Sequence, residues 1–306
     1  MTYRIIKFIF NTGVHFGNGS LDASENSFMA DTFFSALCIE AIKHSEEKLA
    51  MLVKAFTDNR LVISDAFPYI GDGYYIPKPN LYIKNASDKG NSVSKKKYKN
   101  LKYINTSLID CFLQGNYPDE AFSDMDNLGI FDERTCVSVR GEEQSKPYRI
   151  GLYRFNDKSG LYVIVGYDDA GLFEELLDLI TGLEASGLGG KRNSGLGRFK
   201  CSFQDIPDGL YARLEGKYKR YMSLSCCLPK DIELEEALTE ADYRVVKRSG
   251  FIQSYTYGNE HTKKKDIYLF RAGSCFSTKF MGDIYDVSRL GKHPIYRYAK
   301  GFFLGI

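Results

Sequence analysis

Residues that could do chemistry gather most densely at positions 187–199, Gly-Leu-Gly-Gly-Lys-Arg-Asn-Ser-Gly-Leu-Gly-Arg-Phe. Gly187, Gly189, Gly190, Gly195 and Gly197 can take positive φ and let another backbone come close. Lys191, Arg192 and Arg198 lie among them, with Asn193 and Ser194 at the centre. Main-chain amides and cations in such a loop suit a phosphate or an anionic polymer. Read alone, the same stretch serves equally as a plain surface loop. His15 is the other candidate, since an imidazole can act as general acid or base. The four histidines, His15, His44, His261 and His293, show no i,i+4 pair, and the seven cysteines form no C-x-x-C. Neither zinc nor a cofactor is expected, and the thiols read as reduced core residues.

The chain of 306 residues, 43% apolar and 26% charged, has globular composition and room for one large domain or two smaller ones. Net charge is only +2, but it is unevenly spread. Residues 84–102 hold seven lysines and one aspartate, and residues 263–306 hold nine Lys/Arg against three Asp. The remainder is correspondingly acidic, as at 231–242. Local basic surfaces suit a nucleic-acid partner, with a protein partner on another side. The N-terminus lacks an uninterrupted apolar segment and no run approaches a membrane span, so a cytoplasmic protein without a membrane partner is expected.

These residues must be positioned by regular elements. Residues 3–11 are aromatic and β-branched, a buried strand. Phe33, Phe34, Leu37, Cys38, Ala41 and Ile42 recur at helical spacing over 28–44, with Ser27 as N-cap and Asp31 in the first turn. Short strands are expected at 61–64 and 74–83. Residues 84–150 yield no regular elements beyond a short helix at 107–114, and the lysines at 95–102 alternate with Tyr98 and Tyr103. Residues 134–155 read as a hairpin arm carrying Arg134, Arg140 and Tyr148. A strand at 160–166, a helix faced by Leu172, Phe173, Leu176, Leu177, Ile180 and Leu183, the glycine loop, and a strand at 196–203 follow.

The order strand, helix, strand, strand, helix, strand is ferredoxin-like. The fold class is therefore α+β, with two tandem ferredoxin-like (RRM-like) domains. The first spans 1–205, with an insertion at 84–150 and a thumb-like hairpin. The second, 206–306, has strands at 221–228, 243–246, 250–256 and 267–271, an acidic helix at 230–240 and an apolar end at 301–306. Walker A chemistry is excluded, because Arg192 follows Gly190-Lys191 and Ala185 occupies the upstream glycine position. A Rossmann loop precedes its helix, whereas this one follows a helix. RNA binding by a sheet domain fits, and Tyr98, Tyr103 and Tyr148 are the rings expected to be exposed for stacking.

The sequence resembles the RAMP superfamily of CRISPR proteins. Residues 187–199 are similar to its glycine-rich loop, and Met29-Ala30-Asp31-Thr32-Phe33-Phe34-Ser35-Ala36-Leu37 to its first-helix motif. Arg271-Ala272-Gly273-Ser274, Gly282-Asp283-Ile284-Tyr285-Asp286-Val287 and His293-Pro294-Ile295-Tyr296-Arg297-Tyr298-Ala299-Lys300 look like C-terminal signatures of the subunit-four family of the type III-A Csm complex. Ala299 stands where a glycine is expected. The resemblance implies a non-catalytic subunit that caps the crRNA 5′ tag. It would contact the large palm-domain subunit and the RAMP backbone subunit, and wedge its hairpin at the guide–target duplex. On this reading the RNA-binding set is His15, Asp31, Arg134, Arg140, Arg297, Lys300 and the glycine loop. The rival is a metal-independent endoribonuclease of the same superfamily, with His15 as acid or base. In those enzymes the glycine loop lies near the C-terminus, whereas here the chain runs on from Phe199 to Ile306.

Overall fold

The computed structural model describes residues 1–83, 92–138, 146–254, 257, 262–289 and 291–306. Strand β1 (Thr2–Phe10) leads into a two-residue pair, β2 (Phe16–Gly17) and β3 (Ser24–Glu25). Helix α1 (Ala30–His44) follows, its Phe33, Phe34 and Leu37 buried as the periodicity requires. A second helix, α2 (Glu46–Thr57), absent from the expected elements, comes directly after it, with Leu49, Leu52, Val53 and Phe56 at helical spacing. Ser45 separates the two: its N–H ends α1 on Ala41 O, and its Oγ accepts from Lys48 N at 3.1 Å.

Strands β4 (Leu61–Ile63), β5 (Phe67–Ile70) and β6 (Gly73–Pro77) come next. The strand expected to reach residue 83 ends at Pro77, where Pro77 and Pro79 remove ladder donors. The span 84–150 is more regular than its sequence suggests. It contains α3 (Ser92–Asn100), β7 (Tyr103–Asn105), α4 (Ile109–Leu113) and β8 (Gly129–Ser138), which pairs with β9 (Lys146–Phe155). That hairpin runs in continuous antiparallel register from Gly129–Phe155 to Ser138–Lys146. Strand β8 shows no clean two-residue alternation because Ile130, Phe131 and Val137 are all exposed.

Strand β10 (Ser159–Tyr167), α5 (Ala170–Ser186) and β11 (Phe199–Asp205) complete the main sheet. Its order is β11-β1-β10-β5-β6-β7, with β4 also paired to β10 and every neighbour antiparallel. Every residue of β10 is buried, so both faces of the sheet are covered. Ile6, Phe8, Val163 and Val165 pack with Phe33, Leu37, Ile180 and Leu183 of α1 and α5. Ile5, Tyr162 and Ile164 face the other way, with Phe112 and with Met222, Leu224 and Leu304 from the C-terminal third. The two-residue period of a strand makes this division.

The C-terminal third contains α6 (Asp208–Glu215), β12 (Tyr221–Ser223), α7 (Asp231–Leu238), β13 (Val245–Arg248), β14 (Ile267–Phe270), β15 (Cys275–Phe276), β16 (Gly282–Asp286), β17 (Tyr296–Lys300) and β18 (Phe303–Gly305). It pairs as β15-β12-β18, β13-β14 and β16-β17. Where a strand was expected at 250–256, the described residues show only a bridge from Phe251 to Lys263. All seven cysteines are unpaired. Burial pushes the Cys227 and Cys275 thiols up to about 12, as inert core thiols require.

Candidate nucleic-acid interface

The glycine loop is folded back on itself. Gly187, at φ +76°, ends α5 by donating to Leu183 O at 2.7 Å. Leu188 N donates to Gly197 O at 2.9 Å, closing the loop into a ring. Gly197 sits at φ +74°, and a Cβ there would fall 1.9 Å from Leu188 O, so only glycine fits. Lys191, at φ +57°, precedes a 3₁₀ turn of Arg192–Ser194 that ends on Gly195.

The ring is stitched to the loop after β1. Gly190 N donates to His15 O at 2.8 Å, Gly197 N to Gly13 O at 2.9 Å and Asn11 N to Arg198 O at 3.0 Å. Thr12 Oγ1 accepts from Arg198 N at 3.1 Å. The hairpin closes the third side: Leu196 packs on Ile150 and Leu152 of β9. Arg134 donates from Nη1 to Ser194 O at 3.2 Å, and Lys191 Nζ stands 5.5 Å from the Tyr148 ring centroid. Asn193, Ser194 and Arg198 are exposed, while Lys191 and Arg192 are half-buried. Among the described residues no carboxylate lies within ion-pair distance of Arg134, Lys191, Arg192 or Arg198.

His15 belongs to this junction but is enclosed by it. Its side chain is 7% exposed, Nδ1 lies 2.6 Å from Gly151 O, and Gly190 packs against Cδ2. Gly151 is itself needed there, since a Cβ would meet Asp22 O at 2.3 Å. Neither Gly151 nor Thr12 stands out in the sequence, because each matters only through the segment folded against it.

The structure separates the other expected site residues from this junction. Asp31, Arg297 and Lys300 are buried, and they leave the RNA-contact set because no solvent ligand reaches them. Arg248 donates to Asp31 from Nε and Nη2, each at 2.8 Å, and Arg297 donates to it from Nη1. Burial works to raise the Asp31 pKa, but the two guanidiniums outweigh it and hold the carboxyl below the ordinary range. Lys300 donates to Thr57 O at 3.0 Å, and burial, followed by Lys230, lowers its pKa. Arg140 lies outside the described residues. Tyr98 and Tyr103 are not stacking platforms either. Tyr98 lies against Phe112 and Phe122, and Tyr103 points its hydroxyl at Ser27. Tyr148, half-buried beside Lys191, is the expected ring that does reach the site.

Fold and site together define a class: a mixed α/β protein bearing a cationic surface built on a glycine-rich loop. Comparison with known proteins narrows it. The family model for the CRISPR Csm4 C-terminal domain matches residues 216–306. The chain is 36% identical to the CRISPR system Cms protein Csm4 of Mycobacterium tuberculosis, over all of this chain and 98% of the relative. It is similar in fold to a chain of a Csm3–Csm4 subcomplex from a type III-A interference complex (TM-score 0.68, 18% identity, 100% and 99% of the two chains). It also matches the fold of a chain from a Csm1–Csm4 cassette holding AMPPNP (TM-score 0.65, 18% identity, 100% and 98%). The chain belongs to the Csm4 family.

Proposed function

We propose that this chain is a non-catalytic RNA-binding subunit of a type III-A CRISPR interference complex, holding the 5′ tag of the crRNA. Its partners would be the large palm-domain subunit, as in the Csm1–Csm4 cassette, and the backbone subunit, as in the Csm3–Csm4 subcomplex. The observation that carries the reading is the junction of glycine loop, β1 loop and hairpin, where the cations face no carboxylate among the described residues. Sequence-independent RNA affinity rests on such phosphate contacts. The β8–β9 hairpin, with Ile130, Phe131 and Val137 exposed at its outer strand, is the candidate thumb.

The finer fold reading is two tandem ferredoxin-like units, 1–205 and 206–306. The run β1, α1, β4, β10, α5, β11, with β1 between β10 and β11, supports the first. The order β15-β12-β18, with α7 following β12, supports the second.

Purified chain should retain a repeat-derived RNA without cutting it. Lys191→Ala with Arg192→Ala should weaken retention and flatten the log–log salt dependence by about 0.7 for each phosphate no longer neutralised. An unchanged slope would remove the loop from the RNA-binding surface. His15→Ala tests the rival: metal-independent cleavage abolished by that change would establish a nuclease. The enclosed ring, already bonded at Nδ1, argues for a structural His15.

A further inference from the structure

A second cationic surface lies around the 271–274 segment, where the insertion meets the C-terminal third. Gly273, at φ +94°, packs where a Cβ would meet Lys78 O at 2.9 Å, and Asn80 N donates to Gly273 O at 2.7 Å. Lys78 N donates to Lys102 O at 2.9 Å, while Lys78 Nζ caps α3 through Tyr98 O at 2.7 Å. Arg271 N donates to Arg244 O at 2.8 Å, and Ser274 Oγ accepts from Arg244 N at 3.2 Å. Lys78, Lys102, Arg244 and Arg271 are thus tied together by main-chain bonds between four separate parts of the chain. Lys102, Arg244 and Arg271 are exposed, and among the described residues none has a carboxylate within ion-pair distance. Burial, and then the like charge of Arg244, lowers the Lys78 pKa. Asp242, the nearest acid in sequence, is engaged by Arg220 at 2.7 Å.

Aromatic rings flank these cations. Leu81 and Ile83 turn into the core, leaving Tyr82 between them 91% exposed. Tyr243, next to Arg244, is exposed on one side and rests on Phe270 with centroids 4.7 Å apart. Cations that follow a backbone beside open rings on which bases stack are the elements of a single-strand binding surface.

We propose that Lys78, Lys102, Arg244 and Arg271, with Tyr82 and Tyr243, form a second single-stranded RNA-binding surface, separate from the glycine loop. The rings favour RNA over an acidic protein, which would need the cations alone.

The test measures binding of the full chain to a fluorescent single-stranded RNA of about 30 nucleotides, long enough to cover more than one site of common size. Arg244→Gln with Arg271→Gln should lower the log–log salt slope by about 0.7 for each phosphate left without its cation. Arg244→Lys with Arg271→Lys should restore it, which separates a charge effect from a folding defect. Tyr82→Ala should weaken binding about tenfold at fixed salt, the worth of one stacked base. These effects should add to those of the glycine-loop variant, and they persist even if that loop proves silent. A folded Arg244→Gln/Arg271→Gln chain with the parent slope overturns the proposal. So does loss of binding to a polyglutamate probe while RNA binding stays intact, which would make the surface a protein interface.

Discussion

Asp31 shows how far a residue's chemistry depends on what is folded around it. A carboxylate in the first turn of a helix reads as a dipole partner or a ligand, yet here two guanidiniums from more than 200 residues away enclose it. Removing it leaves both cations without their counter-charge, so Asp31→Ala should cost about 3–5 kcal/mol in urea unfolding. A loss below about 1 kcal/mol, the value of a surface pair, would contradict the buried arrangement. Its pKa is depressed, so its contribution is present above the unfolded carboxylate value and is lost as pH falls through the folded one. Asp65 behaves oppositely. Its carboxylate accepts from Ala30 N at 2.8 Å and Cys226 N at 2.9 Å, but burial pushes its pKa up to about 6. The folded protein therefore binds this proton more tightly than the unfolded chain. The resulting stability is full below the unfolded value of about 4 and fades as pH rises through about 6. Asp65→Asn should flatten stability between those pH values. A parent and variant with parallel profiles there would show that Asp65 does not titrate in that range.

The glycine loop is an element in its own right, and its glycines are not equivalent. Gly195 takes φ +83° with open space where its side chain would be, whereas Gly197 combines φ +74° with a backbone oxygen in that place. Gly195→Ala should cost about 1–2 kcal/mol, the strain of a left-handed residue. Gly197→Ala should cost more and should also loosen the bond to Gly13, weakening RNA retention. Equal melting temperatures for the two variants would contradict the ring closure. Composition reveals this loop, because glycines and cations are visible without coordinates. The β8–β9 hairpin is half visible: its second arm has an apolar run, but its first carries apolar side chains outward and shows no periodicity. Helix α2 is legible too, since Leu49, Leu52, Val53 and Phe56 keep the helical period after the Ser45 N-cap, yet it is not among the expected elements.

At the scale of the molecule, residues 1–205 and 206–306 share their cores. Tyr298 donates from its hydroxyl to Ile63 O and accepts from Ile63 N, Lys300 reaches Thr57 O, and Leu224 and Leu304 cover the sheet face opposite α1. Thermal unfolding should be a single transition, and a 1–205 fragment should bind an apolar dye that the whole chain does not. Two resolved transitions would show that the units fold independently. Sequence by itself determined the main strands and the two long helices α1 and α5 of residues 1–205, the loop with its glycines and cations, the absence of nucleotide-binding motifs, and the family. Those follow from local spacing and residue type. Tertiary structure alone decided which charges meet water. Asp31, Arg297 and Lys300 look as available in the sequence as Lys191 and Arg198. Burial depends on segments distant in the chain: a charge can be enclosed only where the fold supplies a partner, as Arg248 and Arg297 do for Asp31 and Thr57 O does for Lys300.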